Sequence, residues 1–209
     1  MSFRYELLYR WNITPWEKED PAALNQLYGF LPPAVGADGR RCRALDLGCG
    51  FGTHAIALAQ RGWEVVGIEL IAKAANEAKK RATQSGLPLT IVQGDVTQLS
   101  DLVAGKFDLV LDIGTFHGLS KTQRTTLGSE LVQVTTGDAA MIVAAFPPLG
   151  PSPWFLGASQ KSLQTAHPSW TIDRTEKVKT TSLPVWISVF MPRFFRMRRH
   201  TATTSLQPI

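Results

Sequence analysis

From about residue 41 the chain alternates short runs rich in β-branched residues with stretches of helical periodicity, and that alternation leaves few architectures open. It is the pattern of a parallel sheet covered by helices on both faces, a doubly wound α/β fold. Strands are expected at 43–47, 64–69, 89–93, 107–112 and 140–146, with helices at about 53–61, 71–85 and 121–134 between them. The second helix runs into Gly86 with Pro88 just beyond, a glycine stop followed by a residue that cannot continue a helix. Ser120 suits the N-cap of the third, which carries Leu127, Leu131 and Val134 along one face.

Outside this core the rhythm changes. Pro147, Pro148, Gly150, Pro151 and Pro153 make a loop, followed by a short helix near 156–165 and two extended segments around 170–177 and 190–199. With no convincing helix between them, those two segments read as an antiparallel pair at one sheet edge. Ahead of the core, residues 1–35 hold Trp11, Trp16, Tyr28 and Phe30, with helical spacing over 22–28. They read as an arm or lid. At 209 residues, 44% hydrophobic and 19% charged, the chain can bury one proper core and is too short for two. A single domain over 1–209 is expected, with an arm at 1–35, a core at 36–146 and a tail at 147–209.

Composition narrows the setting. Cys42 and Cys49 have neither the spacing of a zinc site nor that of a disulfide framework, so a reducing interior fits and no metal is expected. The first ten residues lack the apolar stretch of a secretory signal. The apolar run 183–191 is broken by Pro184 and closed by Pro192, well short of the roughly 20 residues a spanning helix needs. A cytoplasmic protein without a transmembrane segment is expected. The formal charge is +5, and the stretch from Asp173 to Arg199, with seven basic residues against two acidic ones, accounts for the whole excess. Such an end suits nucleic acid, an anionic surface or an anionic substrate. It equally suits a strand edge kept soluble by charge.

The chemistry concentrates at the first strand–turn–helix, Asp46-Leu47-Gly48-Cys49-Gly50-Phe51-Gly52. Glycines at 48, 50 and 52 let the backbone turn tightly and approach a ligand. A dinucleotide-binding turn or a purely structural one would use glycine as well. The acids at successive strand ends discriminate: Asp46 near the end of strand 1, Glu69 closing strand 2 beside Leu70, and Asp95 after Gly94 and before Val96 at the end of strand 3. In a doubly wound sheet these ends line one crevice. Acid at the loop repels a pyrophosphate and attracts an ammonium or sulfonium, Glu69 suits two ribose hydroxyls, and Asp95 suits the exocyclic amine of adenine. The ligand with those parts in that order is S-adenosylmethionine.

These residues resemble the class I S-adenosylmethionine-dependent methyltransferase family. Ala44 to Thr53 is similar to its first motif, Val65-Val-Gly-Ile-Glu69 to its second-strand acid, Gly94-Asp95 to its adenine-side motif, and Phe107 to Asp112 to its fourth strand. The resemblance covers roughly residues 42–146. It implies a Rossmann-like, seven-stranded sheet, mostly parallel with an antiparallel last strand. It also implies cofactor contacts from Asp46, Gly48, Cys49, Gly50, Gly52, Glu69, Leu70, Gly94, Asp95 and Val96, with Asp112 and Ile113 beside the methionine part.

The arm, with Thr14-Pro15-Trp16-Glu17, resembles the element preceding the core in the thiopurine, thiol, halide and tellurite branch of small-molecule enzymes. There it implies Trp11 and Trp16 closing over the cofactor; alternatively they only staple the arm to the sheet. Phe116-His117 after strand 4 resembles the same branch. His117 is a candidate general base, its reference pKa of about 6.5 suiting proton removal at neutral pH, or a histidine at the start of the next helix that shapes the pocket. Phe116, His117, Pro147 and Arg193 are the candidate acceptor residues. In-line methyl transfer draws much of its rate from placement and desolvation and needs no specific base.

The chain lacks an Asn-Pro-Pro-Tyr-like tetrapeptide after strand 4 and a Pro-Cys pair, which disfavours methylation of nucleic-acid bases. The leading expectation is methyl transfer to a small-molecule acceptor at sulfur, selenium or tellurium, or a heterocyclic oxygen or nitrogen, by a monomer or homodimer with no specific nucleic-acid partner. Two rivals stand beside it. One is an RNA or protein methyltransferase recruited through the basic segment, where residues 193–199 could touch an anionic surface; the other is a protein that binds the cofactor without catalysis.

Overall fold

A computed structural model describes residues 21–147, 157–178 and 193–200, together with Glu6 and Trp11. The described elements are α1 (Pro21–Tyr28), β1 (Arg43–Leu47), α2 (Thr53–Gln60), β2 (Glu64–Glu69), α3 (Ala72–Ser85), β3 (Leu89–Gln93), α4 (Leu99–Leu102), β4 (Phe107–Ile113), α5 (Lys121–Val134), β5 (Thr135–Ala145), α6 (Gln160–Ala166), β6 (Trp170–Lys177) and β7 (Arg193–Arg199). The strands form one seven-stranded sheet in the order β3-β2-β1-β4-β5-β7-β6. The first five pair in parallel, while β7 is antiparallel to both β5 and β6.

Both sheet faces are buried, which is why the strands read as apolar runs more than as alternating ones. Leu45, Leu47, Ile68, Val110 and Met141 face α5 and α6, meeting Leu127, Leu131 and Leu163. Their alternates Ala44, Val65, Leu109, Leu111 and Ile142 face α2 and α3, meeting Leu58 and Ala78. Each such fully buried leucine or isoleucine contributes roughly 1.5–3 kcal/mol. Ser120 caps α5 as expected, in a reciprocal box: its hydroxyl accepts from the Gln123 amide and the Gln123 side chain accepts from the Ser120 amide. Gly128, in the middle of α5, leaves room for the Ala166 carbonyl at the end of α6, which any side chain there would strike.

Two expectations need correction. β5 begins at Thr135, directly after α5, because Thr135 pairs with Phe107 ahead of the apolar run, a register irregularity separating it from the Leu109–Ala140 pair. α6 starts at Gln160 because the Ser159 hydroxyl accepts from the Ser162 amide and sets the helix start there. As expected, the two C-terminal strands form an antiparallel pair at one edge of the sheet, with β7 against β5 and β6 outermost. The arginines of β7 therefore do not solvate an edge. Arg196 and Arg198 pair with Asp173 of β6, and Arg199 donates to the carbonyls of Thr135 and Thr136.

α1 docks against the β6–β7 side. The Gln26 side chain donates to Glu176 at 2.8 Å and to the Lys177 carbonyl at 2.9 Å. Arg174 donates to the Gly29 carbonyl and lies 4.1 Å from the centre of the Phe30 ring, which packs on Phe194. Because β6 runs in the same direction as β5, these contacts orient α1 antiparallel to β6, with Pro21 toward the carboxyl ends of the strands. Among the described residues no helix is long and apolar enough to cross a membrane.

Candidate active site

The chain runs outward from β1 to β2 and β3, then returns to place β4 on the other side of β1. That reversal opens a crevice beyond the carboxyl ends of β1 and β4, the usual ligand position in open α/β sheets. The glycine turn forms its floor. Gly48, Gly50 and Gly52 all have positive φ, at 63°, 56° and 82°, a conformation glycine adopts at no steric cost. Gly52 is also the N-cap of α2.

Glu69 braces the turn. It is 5% exposed, and its two oxygens accept separately, one from the Gly50 amide at 2.9 Å and the other from the Ile71 amide at 2.8 Å. Its own carbonyl accepts from the Gly94 amide, so one residue links the ends of β1, β2 and β3. Asp46, 2% exposed, stands opposite Gly67 in register and shares the α2–α3 face with Glu69. Gly67 and Cys49 fit each other: a Cβ at 67 would come within 2.8 Å of the Cys49 Sγ. The Cys49 side chain thus fills the sheet beneath the turn, and only its backbone belongs to the turn's rim.

Asp95 is half-buried and caps the short turn Val96–Gln98, its Oδ1 accepting from both the amide and the hydroxyl of Thr97. Val96 is buried in the core, while Leu70 is 44% exposed at the mouth of the crevice. Trp11 is 61% exposed; Trp16 lies outside the described residues. Among the described residues no group of three His, Cys, Asp or Glu could hold a metal ion.

The far wall is organised differently from what the sequence suggests. Asp112, 1% exposed, turns its carboxylate onto its own loop and accepts from the amides of Thr115 and Phe116. Burial pushes its pKa up from 3.8 to about 7, against the pull of those amides and of Arg124. The Thr115 hydroxyl donates to the Leu47 carbonyl at 2.8 Å and occupies the space a side chain on Gly48 would need. Gly48 is therefore required by the protein's own loop as well as by any ligand. Phe116 lies in the core at 1% exposure, beneath the wall rather than on it. His117 is partly buried, with its ring edge-on to Phe146 at 5.5 Å. Ile113 and Pro147 are half-buried nearby, and Arg193 is exposed at the start of β7, opposite Ala145.

Arg124 is a residue of this wall that sequence reasoning missed. Its guanidinium donates to the carbonyls of Phe116, His117 and Gly157. A signal exists: Arg124 falls on the same stripe as Leu127 and Leu131, and an arginine on an apolar helix face is one that must find partners indoors. Thr115 and Phe146 carry no such signal.

Three histidines tie stability to pH. Burial holds His54, His117 and His167 down from 6.5 to about 4, with the Arg124 cation adding to the effect at His117. Groups depressed in the folded state support stability above their unfolded pKa and lose it as the pH falls through the folded one. Asp112 acts in the opposite sense between 3.8 and about 7, where the folded protein holds its proton more tightly. Three groups against one leaves net loss on acidification. The thermal midpoint is expected to fall between pH 6.5 and 4, less steeply in His167→Leu; a midpoint that rises over this interval would contradict the burial of these rings.

Residues 44–138 match the family model described as a methyltransferase domain. An uncharacterized methyltransferase of Schizosaccharomyces pombe is 29% identical over 102 residues, covering 49% of this chain and 70% of that protein. The 2-heptyl-1-hydroxyquinolin-4(1H)-one methyltransferase of Mycobacteroides abscessus is 33% identical over 139 residues, covering 62% of this chain and 59% of that protein. Among solved structures, the N-methyltransferase NodS of Bradyrhizobium japonicum WM9, in complex with S-adenosyl-L-homocysteine, superposes with a TM-score of 0.69 at 18% identity, over 88% of this chain and 91% of that one.

Proposed function

We propose that this chain, an S-adenosylmethionine-dependent methyltransferase, passes the methyl group to a small-molecule acceptor held at the carboxyl ends of β4 and β5. The observation that carries the reading is Glu69, whose two oxygens are fixed by separate backbone amides beside a turn of three positive-φ glycines. A carboxylate so oriented fits the paired hydroxyls of a ribose. Asp46 at the end of β1 then suits the ammonium end of the cofactor, and Asp95, with its Oδ1 taken by Thr97, turns Oδ2 to the adenine amine. Gly48, Gly50, Gly52, Gly94 and the backbone of Cys49 supply close approach, and Leu70 and Ile113 supply apolar contact. Pro21, where α1 begins, lies toward the carboxyl ends of the strands, and closure over the cofactor is assigned to Trp11 and Trp16 of the segment that precedes it.

When bound, the cofactor would supply an electrophilic methyl on its sulfonium: the acceptor's lone pair would bond to the methyl carbon in line as the S–CH3 pair returns to sulfur, which leaves as a thioether. His117 is neutral at pH 7, so its ring can receive a proton, but a base whose conjugate acid has a pKa of about 4 removes one weakly. Its main contribution is then shape: with Phe146 it forms an aromatic flank that excludes water from the acceptor. Orientation and desolvation of this kind can supply roughly 7–11 kcal/mol of barrier lowering. The acceptor atom is a sulfur, a selenium or tellurium, or a heterocyclic oxygen or nitrogen that arrives deprotonated or loses its proton to water.

Two observations favour a small acceptor over RNA or protein. Arg196, Arg198 and Arg199 are already engaged within the sheet, and a relative at 33% identity is named for a small heterocyclic substrate. The test is incubation with methyl-labelled cofactor and a panel of thiols, selenite, tellurite, halides, phenols, 2-heptyl-1-hydroxyquinolin-4(1H)-one and bulk RNA. Label in a small molecule is expected. Label in RNA alone would transfer the reading to a macromolecular substrate, and cofactor binding without any labelled product would make the chain a non-catalytic binder.

A further inference from the structure

Two segments border the ends of β4 and β5. One is the turn at Phe116–Gly118; the other is the point where the chain, having left β5 at Phe146, comes back at Gly157 and Ala158, the Ala158 amide donating to the Phe146 carbonyl at 2.8 Å. Arg124, near the start of α5, touches both. Its Nε donates to the Phe116 carbonyl at 3.1 Å, and its Nη2 donates to the His117 carbonyl at 3.0 Å and to the Gly157 carbonyl at 2.6 Å. The guanidinium carbon lies 4.6 Å from the centre of the Phe116 ring. The nearest acid, Asp112, has its oxygens turned to the Thr115 and Phe116 amides, so this cation is held by carbonyls and a ring.

We propose that Arg124 is a positioning residue that fastens these two segments into a single acceptor-side wall and so sets acceptor affinity without acting on the cofactor side. The inference rests on the reading that the acceptor lies at the ends of β4 and β5. The rigid fork of a guanidinium is what allows one side chain to serve three carbonyls from two directions. A lysine ammonium, a single nitrogen on a flexible stem, serves fewer of them at once. None of the three bonds reaches the glycine turn or Glu69, so loosening them displaces the His117–Phe146 flank and leaves the β1–β3 side in place.

The test uses the full chain as Arg124→Met and Arg124→Lys. Kinetics are measured with whichever acceptor takes label in the panel, and S-adenosylhomocysteine affinity by calorimetry. Expected in Arg124→Met is an acceptor KM raised at least tenfold, kcat lowered less than threefold and an unchanged S-adenosylhomocysteine Kd, with Arg124→Lys intermediate. An unchanged KM in either variant, or a kcat and cofactor affinity that fall together with it in Arg124→Lys, overturns the proposal. Amide spectra decide the matter if the wild type labels nothing, an outcome that sinks the functional reading and leaves the clamp to be judged separately. Resonances of 116–118 and 157–158 should shift together in Arg124→Met while those of 48–52 stay in place; movement of one segment alone refutes the clamp.

Discussion

Glu69→Ala should weaken S-adenosylmethionine binding at least a hundredfold by calorimetry. Two losses combine. The ribose hydroxyls lose charge-assisted acceptors, each such bond being worth about 1.5–3 kcal/mol. The amides of Gly50 and Ile71, which now donate to Glu69 at 2.9 and 2.8 Å, lose their partner, and the turn that Glu69 braces relaxes. Glu69→Gln does not repair this. A glutamine presents one oxygen and one NH2, while both backbone neighbours present N–H, so one donor must face another. Both variants should therefore bind poorly, and an affinity within threefold of wild type in Glu69→Ala would remove the residue from the site.

Gly48→Ala should be the most disruptive single-methyl change in the crevice. The φ of 63° places the new Cβ in a conformation that costs an L-residue about 1–2 kcal/mol. The same Cβ falls inside the Thr115 hydroxyl, and overpacking of that kind adds about 1–3 kcal/mol. Thr115→Ala alone loses the bond to the Leu47 carbonyl, worth about 1 kcal/mol. In the double variant the hydroxyl clash is gone, leaving only a 3.3 Å approach to the Cβ of residue 115, while the φ part stays, so the combined loss in urea unfolding should be smaller than the sum of the single losses. Strict additivity would mean that Thr115 does not occupy the Gly48 space. The pair matters for function because it is where the cofactor-side turn and the acceptor-side turn touch.

Much of this fold is legible in the amino-acid sequence, and the reasons are local. Strands β1, β2 and β4 announce themselves because burial on both faces makes each a compact apolar run between turn residues, the half-exposed edge strand β3 because Ile91 and Val92 sit between Pro88 and Gly94, and α5 because Ser120 and the 127–131–134 stripe mark its start and its face. The start of β5 is not legible, since Thr135 pairs with Phe107 while 135–138 show no apolar pattern. Which of the two antiparallel segments meets β5 is not legible either, because backbone pairing to a parallel strand is open to both.

At the site, residue identities are readable and directions are not. Asp112 is visible as an acid at a strand end, yet burial and two amides of its own loop decide where its carboxylate points. Phe116 is visible as an aromatic beside His117, yet the tight turn sends it into the core. Arg124 is visible as a misplaced charge on an apolar stripe, and only the fold shows which carbonyls it answers.

The most direct test of where the cofactor sits is amide hydrogen exchange on the full chain with and without S-adenosylhomocysteine. Slowed exchange is expected at 48–52, 69–71 and 95–97, and in the arm over 8–17, with little change at the amino ends of the strands. Protection confined to other regions, or a saturated complex in which 48–52 and 69–71 exchange as before, would contradict this placement.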